Sequence, residues 1–212
     1  MKKRSYTLLL SLLGLILLGG SGCVIHDDDY YDPTPQPTGY RNVFNEEFST
    51  DNRGWTFDDP ADSAYAFVTG GLYKFVDYSY TGGTHEAVVT TSANFNRDFL
   101  IQTRIKSNYA MALIFGASGS SYGYSFFIDE AGYFAVYKEG YHPEVILDWQ
   151  RSSAINSGFN DVEIEQINDY WYGYINGVKV FQTPARVLSG SKTGFMVLAN
   201  TTGYADYLTV KW

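Results

Sequence analysis

The sequence predicts an all-β domain, two antiparallel sheets packed as a sandwich or closed as a barrel, behind an N-terminal leader and spacer. Three observations carry this. From residue 40 to 212 no helical period appears, while short runs alternating apolar and polar residues recur at close spacing. The residues filling those runs suit a half-buried pleated surface: the chain holds 19 Tyr and 14 Phe, with frequent Val and Thr. The punctuation fits tight turns, since Gly is frequent and only Pro143 and Pro184 follow residue 60.

The leader comes first. Lys2, Lys3 and Arg4 form a positive start, Leu8 to Leu18 an apolar run, and Gly19, Gly20, Ser21 and Gly22 a stretch of small residues before Cys23. This is the three-part layout of a secretory signal. The apolar run is shorter than the roughly 20 residues of a spanning helix. Small residues followed at once by cysteine resemble the lipobox of bacterial lipoproteins, although Gly20 stands where leucine is usual. Cys23 is the one cysteine of the chain, so it has no intramolecular disulfide partner, and lipidation would consume a thiol that is a liability in an oxidising compartment. The resemblance implies cleavage before Cys23, a thioether-linked diacylglycerol and a membrane anchor of two or three acyl chains. Val24 after the cysteine, rather than Asp, favours the outer membrane if the cell is Gram-negative.

Residues 24–40, VIHDDDYYDPTPQPTGY, have no apolar period. Pro33, Pro35 and Pro37 favour an extended spacer at about 3.1 Å per residue. The run Asp27 to Asp29 reads as a solvated tether, and it also resembles surface-export signals of some Bacteroidetes lipoproteins. The expected organisation is therefore a signal peptide over 1–22, a lipidated tether over 23–41 and one domain over 42–212. Removing residues 1–22 leaves 12 basic and 23 acidic residues, net −11. That balance argues against nucleic-acid binding and against electrostatic attraction to anionic lipid.

Within the domain the expected strands run in order through residues 64–68, 71–76, 87–92, 99–106, 110–116, 122–128 and 133–138. They continue through 144–149, 162–167, 170–175, 178–182, 194–199 and 206–212. Asn176-Gly177 between two of them is a two-residue hairpin signal, because both turn positions need positive φ. Asp129 to Gly132 and Asn168-Asp169 are further turns.

The order of segments is more specific than their number. NEEFSTDNRGW (45–55) leads to GGLYKF (70–75) and FLIQTRIK (99–106), then to YGYSFFIDEAGYFAVYKEG (122–140). ILDWQRSSAINSGFNDVEIEQINDYWYGYINGVKVF (146–181) follows, and SGSKTGFMVLAN (189–200) and ADYLTVKW (205–212) close the chain. This series resembles the concanavalin A-like lectin and glucanase superfamily, in its laminin-G-like and keto-disaccharide-hydrolase-like branches. The resemblance implies a jelly roll of two curved antiparallel sheets with the first and last strands paired. It leaves activity open, because the fold hosts enzymes and non-enzymes.

Family 16 glycosidases on this scaffold carry three carboxylates alternating along one strand, two serving as nucleophile and acid. Glu163 and Glu165 share a strand face, but Ile167 follows where a third carboxylate would stand. The pair therefore reads as an outward polar stripe, and no catalytic residue is assigned. His85, after Gly82-Gly83-Thr84, and His142, in Gly140-Tyr141-His142-Pro143, are expected in loops, and the two make no zinc motif. Asp58, Asp59 and Asp62 are the residues from which a loop calcium site would be drawn, but their spacing fits no ligand pattern, and no cofactor is assigned. The aromatics remain. Tyr122, Tyr124 and Phe126 share one face of a strand; Tyr170, Tyr172 and Tyr174 share one face of another, with Trp171 opposite. Aromatic rings stack on the apolar faces of sugars. The candidate ligand-binding residues are Tyr122, Tyr124, Tyr141, Trp149, Tyr172 and Tyr174, with Tyr78 and Tyr80 near loops. Three functions compete: an anchored glycan- or polymer-binding module, a structural lipoprotein binding another envelope protein, and a glycan hydrolase.

Overall fold

The computed structural model describes residues 39–80, 82–119 and 122–212. The expected leader, Cys23 and the tether up to residue 38 lie outside them. The described residues form fifteen strands and no helix. They are β1 (Asn42–Glu46), β2 (Phe57–Asp59), β3 (Ala64–Thr69), β4 (Leu72–Asp77), β5 (Thr84–Thr90), β6 (Phe99–Ser107), β7 (Ala110–Gly119) and β8 (Tyr122–Asp129). Next come β9 (Tyr133–Glu139), β10 (Glu144–Arg151), β11 (Asn160–Ile167), β12 (Tyr170–Ile175), β13 (Val178–Pro184), β14 (Lys192–Leu198) and β15 (Thr201–Lys211). One sheet runs β13-β12-β11-β6-β15-β4-β3-β2, with β1 also on β15; the other runs β10-β9-β8-β7-β14-β5. All pairings are antiparallel, so the chain is the two-sheet sandwich its alternation demands, and its first and last strands pair.

Alternation decides what lies between the sheets. From the nine-stranded sheet, Tyr73, Phe75, Ile101, Ile105, Val162, Ile164 and Trp171 enter the core; from the six-stranded sheet, Met111, Leu113, Phe115, Phe126 and Phe195 meet them. Trp55 makes an edge contact with Phe48 at 5.4 Å, and Tyr73 stacks on Phe48 at 5.5 Å. The buried Glu46 carboxylate is satisfied by Trp55 Nε1, Phe48 N and Arg53 Nε, each at 3.0 Å. A ring packed over the chain fixes one glycine: a Cβ on Gly173 would lie 2.0 Å from the Phe181 ring.

The Asn176-Gly177 hairpin joins β12 to β13 with φ of 51° and 77°. The Asn176 side chain also organises the neighbouring turn. Its Oδ1 accepts Asp161 N at 2.9 Å, and its Nδ2 donates to Ala154 O at 2.7 Å and Asn160 Oδ1 at 2.8 Å. The start of β11 is thereby pinned beside β12.

Three expectations are corrected. The strand expected at 87–92 begins at Thr84 and carries His85, because seven residues of β5 pair with β14. The alternation of Tyr122, Tyr124 and Phe126 is right, but that face turns inward: Tyr124 is 1% exposed. β1 and β2 form strands where the sequence offered only short mixed segments.

Candidate functional site

β11 lies between β12 and β6 near one end of the nine-stranded sheet. Its even residues Val162 and Ile164 fill the core, so its odd residues Asp161, Glu163 and Glu165 stand on the sheet's outer face. On β12 the same rule sends Trp171 and Ile175 inward and Tyr170, Tyr172 and Tyr174 outward. The register sets Tyr174 opposite Glu163 and Tyr172 opposite Glu165. Beyond β11, Gln102 faces Glu163 and Leu100 faces Glu165. β15 then contributes Thr209 beside Gln102 and Lys211 beside Leu100. Two rows result, Tyr174–Glu163–Gln102–Thr209 and Tyr172–Glu165–Leu100–Lys211. Each crosses four strands and spans about 14 Å at the usual strand spacing.

The polar groups are tied together. Gln102 Nε2 donates to Glu163 Oε2 at 2.9 Å, and Lys211 Nζ donates to Gln102 Oε1 at 2.6 Å. Tyr40, just before β1, donates its hydroxyl to Glu165 Oε1 at 3.1 Å. Glu165 is only 3% exposed beneath this cover. Its burial pushes the carboxyl above the usual range; the Tyr40 hydroxyl opposes the rise and the Glu163 charge adds to it. Asp161 accepts from the Tyr207 hydroxyl at 3.5 Å and lies 4.0 Å from Arg104 Nε, whose Nη1 is 3.7 Å from Asp206 Oδ2. Burial first, and then the Asp161 charge, lift the Tyr207 hydroxyl to about 12. The rim is aromatic. Tyr170 and Tyr172 hold their rings 6.5 Å apart, and Lys179 Nζ stands 5.7 Å from the Tyr172 ring centre.

The structure thus brings together Glu163, Glu165, Tyr172 and Tyr174 among the residues singled out from the sequence. It adds Asp161, missed because a third carboxylate was sought only downstream; alternation runs upstream equally well through Asp161-Val162-Glu163-Ile164-Glu165. Gln102, Lys211, Tyr207 and Tyr40 had no local signal. The other candidates lie elsewhere. Tyr124 sits in the core, 4.6 Å edge-on from Trp171 and 5.7 Å from Phe115, with its hydroxyl on Val187 O at 3.2 Å. Its burial removes it from the ligand-facing set. Trp149 is on the outer face of the six-stranded sheet against Phe127, ring centres 5.9 Å apart. Tyr122 is exposed at the start of β8, and Tyr141 is 86% exposed beside His142 in the β9–β10 connection. Tyr80 is 97% exposed. Asp59 Oδ1 accepts Asp62 N at 3.3 Å, and among the described residues no three His, Cys, Asp or Glu side chains converge on a metal position.

No known family profile matches this sequence, and no curated protein does. Solved structures do share its fold. The carbohydrate-binding module CBM66 from Bacillus subtilis superposes with a TM-score of 0.51 at 17% identity, over 63% of this chain and 83% of that one. The CBM2 module of the evolved Dit protein of Lactobacillus casei BL23 phage J-1 gives 0.55 at 9% identity, over 82% and 96%. The GlcNAcα1-4Gal-releasing endo-β-galactosidase from Clostridium perfringens gives 0.53 at 12% identity, over 82% of this chain and 63% of that chain. At these identities the likeness is one of fold: an all-β, two-sheet sandwich resembling concanavalin A-like carbohydrate-binding and glucanase domains.

Proposed function

We propose that this chain is a lipid-anchored envelope protein whose sandwich domain binds a glycan through the outer face of β12, β11 and β6. The carrying observation is the row in which Tyr172 and Tyr174 on β12 stand beside Glu163 on β11, with Gln102 next on β6. Tyrosine rings supply apolar platforms for sugar C–H faces, and the Glu163 carboxylate and the Gln102 amide supply partners for hydroxyls. The fold likeness to carbohydrate-binding modules supports this reading. Binding is favoured over hydrolysis because Glu165 is buried beneath Tyr40 and Glu163 is engaged by Gln102, so neither is presented as a free acid or nucleophile. Anchoring rests on the leader and Cys23.

An array of envelope and host glycans, read against Tyr172→Ala and Tyr174→Ala, tests the site. Each variant should weaken binding about tenfold or more, a loss near 1.4 kcal/mol, with the fold retained by circular dichroism. Binding unaffected by both substitutions would exclude this face. Incorporation of labelled fatty acid, lost with Cys23→Ala, tests the anchor separately.

A further inference from the structure

A second feature lies away from the β11–β12 face, at the side of the sandwich where the edge strands β2 and β5 approach. Asp77 closes β4 in one sheet, and His85 stands near the start of β5 in the other. The Asp77 side chain is fully buried, yet three donors satisfy it: Ser79 N at 2.8 Å, Ser79 Oγ at 2.6 Å and His85 Nδ1 at 2.7 Å. Burial alone would raise this carboxyl; the two Ser79 bonds and the His85 ring outweigh it and hold the group below the usual carboxylate range. An ionised Asp77 needs a proton on His85 Nδ1. That bond fixes the ring and leaves Nε2 as a polar group of set orientation.

His85 lines a cleft of about 510 Å³, within the size range of small-molecule sites. Phe57 and Val89 form an apolar wall, while Asp59, Asp62, Glu86 and Lys192 supply polar groups. Three carboxylates repel an anion. Lys192 stands against a cation, and no three acidic or imidazole groups among the described residues converge on a metal. A neutral ligand with several hydroxyls suits the cleft: acceptors on Asp59 and Asp62, the His85 Nε2 for a hydroxyl, a donor on Lys192, and an apolar wall for C–H groups.

We infer that this cleft is a second, independent site for one neutral sugar residue, oriented by a hydroxyl hydrogen-bonded to His85 Nε2. Asp77 touches no ligand here; it positions the ring. The chain has only three histidines, so the His85 imidazole can be followed individually by NMR, with His142 as an internal control. The whole chain is titrated with D-glucose, D-galactose and D-fructose, and in parallel with glucuronate and glucosamine. A saturable shift of the His85 ring signals with at least one neutral sugar, and none at His142, is expected. Asp62→Ala, on an exposed turn, and Asp77→Asn should each weaken that response several-fold, while Tyr172→Ala should leave it intact. If Asp77→Asn does not fold, Asp62→Ala decides. Absence of a saturable shift with all three neutral sugars, parallel shifts at His142, or a response to glucosamine or glucuronate alone would overturn the assignment.

Discussion

Truncating Tyr124 to alanine separates a core residue from a ligand contact. Its ring is 1% exposed and wedged against Phe115 and Trp171, with its hydroxyl on Val187 O. Emptying such a site costs about 3–5 kcal/mol, which includes the cavity left where the two rings no longer have a partner. Against a total stability of about 5–15 kcal/mol this is a large fraction. For a domain of this size it corresponds to a fall in melting temperature of roughly 6–20 °C. Tyr124→Phe keeps the ring and loses only the bond to Val187 O, about 0.5–1.5 kcal/mol, or a fall of about 1–6 °C. Thermal melts followed by circular dichroism, with urea titrations for the free energies, measure both variants. If Tyr124→Ala melts within a degree of the parent, the inward orientation of β8 is wrong. If it also abolishes glycan binding while stability holds, Tyr124 belongs to the site after all.

Other perturbations probe the elements that hold the β11–β12 face. Gly173→Ala should destabilise by about 1–3 kcal/mol through overpacking, since its Cβ would meet the Phe181 ring; Gly173→Ala/Phe181→Leu should recover part of that loss in urea titrations, and no recovery would refute the contact. Asn176→Gly keeps the turn conformation but removes three hydrogen bonds, so a loss of about 1.5–4 kcal/mol is expected; a loss under half a kcal/mol would show that Asn176 serves only its φ. Glu165 has a raised carboxyl in the folded state, so folding favours its protonated form. Its ionisation weakens the fold progressively as pH rises from its ordinary value near 4.5 to the raised folded value, and the full penalty holds above that. Glu165→Gln should therefore be more stable relative to the parent at neutral pH than in that acid window. The opposite slope in paired urea titrations would mean that Tyr40 stabilises the charged form more than burial opposes it.

How far the sequence reaches can be judged residue by residue. The Asn176-Gly177 turn and the alternation of β11 and β12 are local properties, and both were legible. Period-two alternation says that Tyr122, Tyr124 and Phe126 share a face, but not which face; packing against Trp171 across the sandwich decides that. His85 follows a Gly-Gly-Thr stretch whose composition suggests a loop, and pairing with β14 overrides it. Tyr40 meets Glu165 across 125 residues of chain, a contact no window on the sequence contains. Asp161 is legible in the same alternation, two positions before Glu163.

β15 bonds to β4 and β6 and also receives β1 at the opposite end of the domain sequence. Arg41 and Trp212 exchange backbone hydrogen bonds at 2.9 and 3.1 Å beside that pairing. The larger sheet therefore has no continuous middle until its last eleven residues arrive. Until β15 is in place, β4 and β6 have no strand between them and β1 has no partner, and long-range closure of this kind is slow. For a chain exported as we propose, that delay is an asset. A polypeptide that cannot complete its fold prematurely stays threadable, and the strand that arrives last locks the domain on the far side.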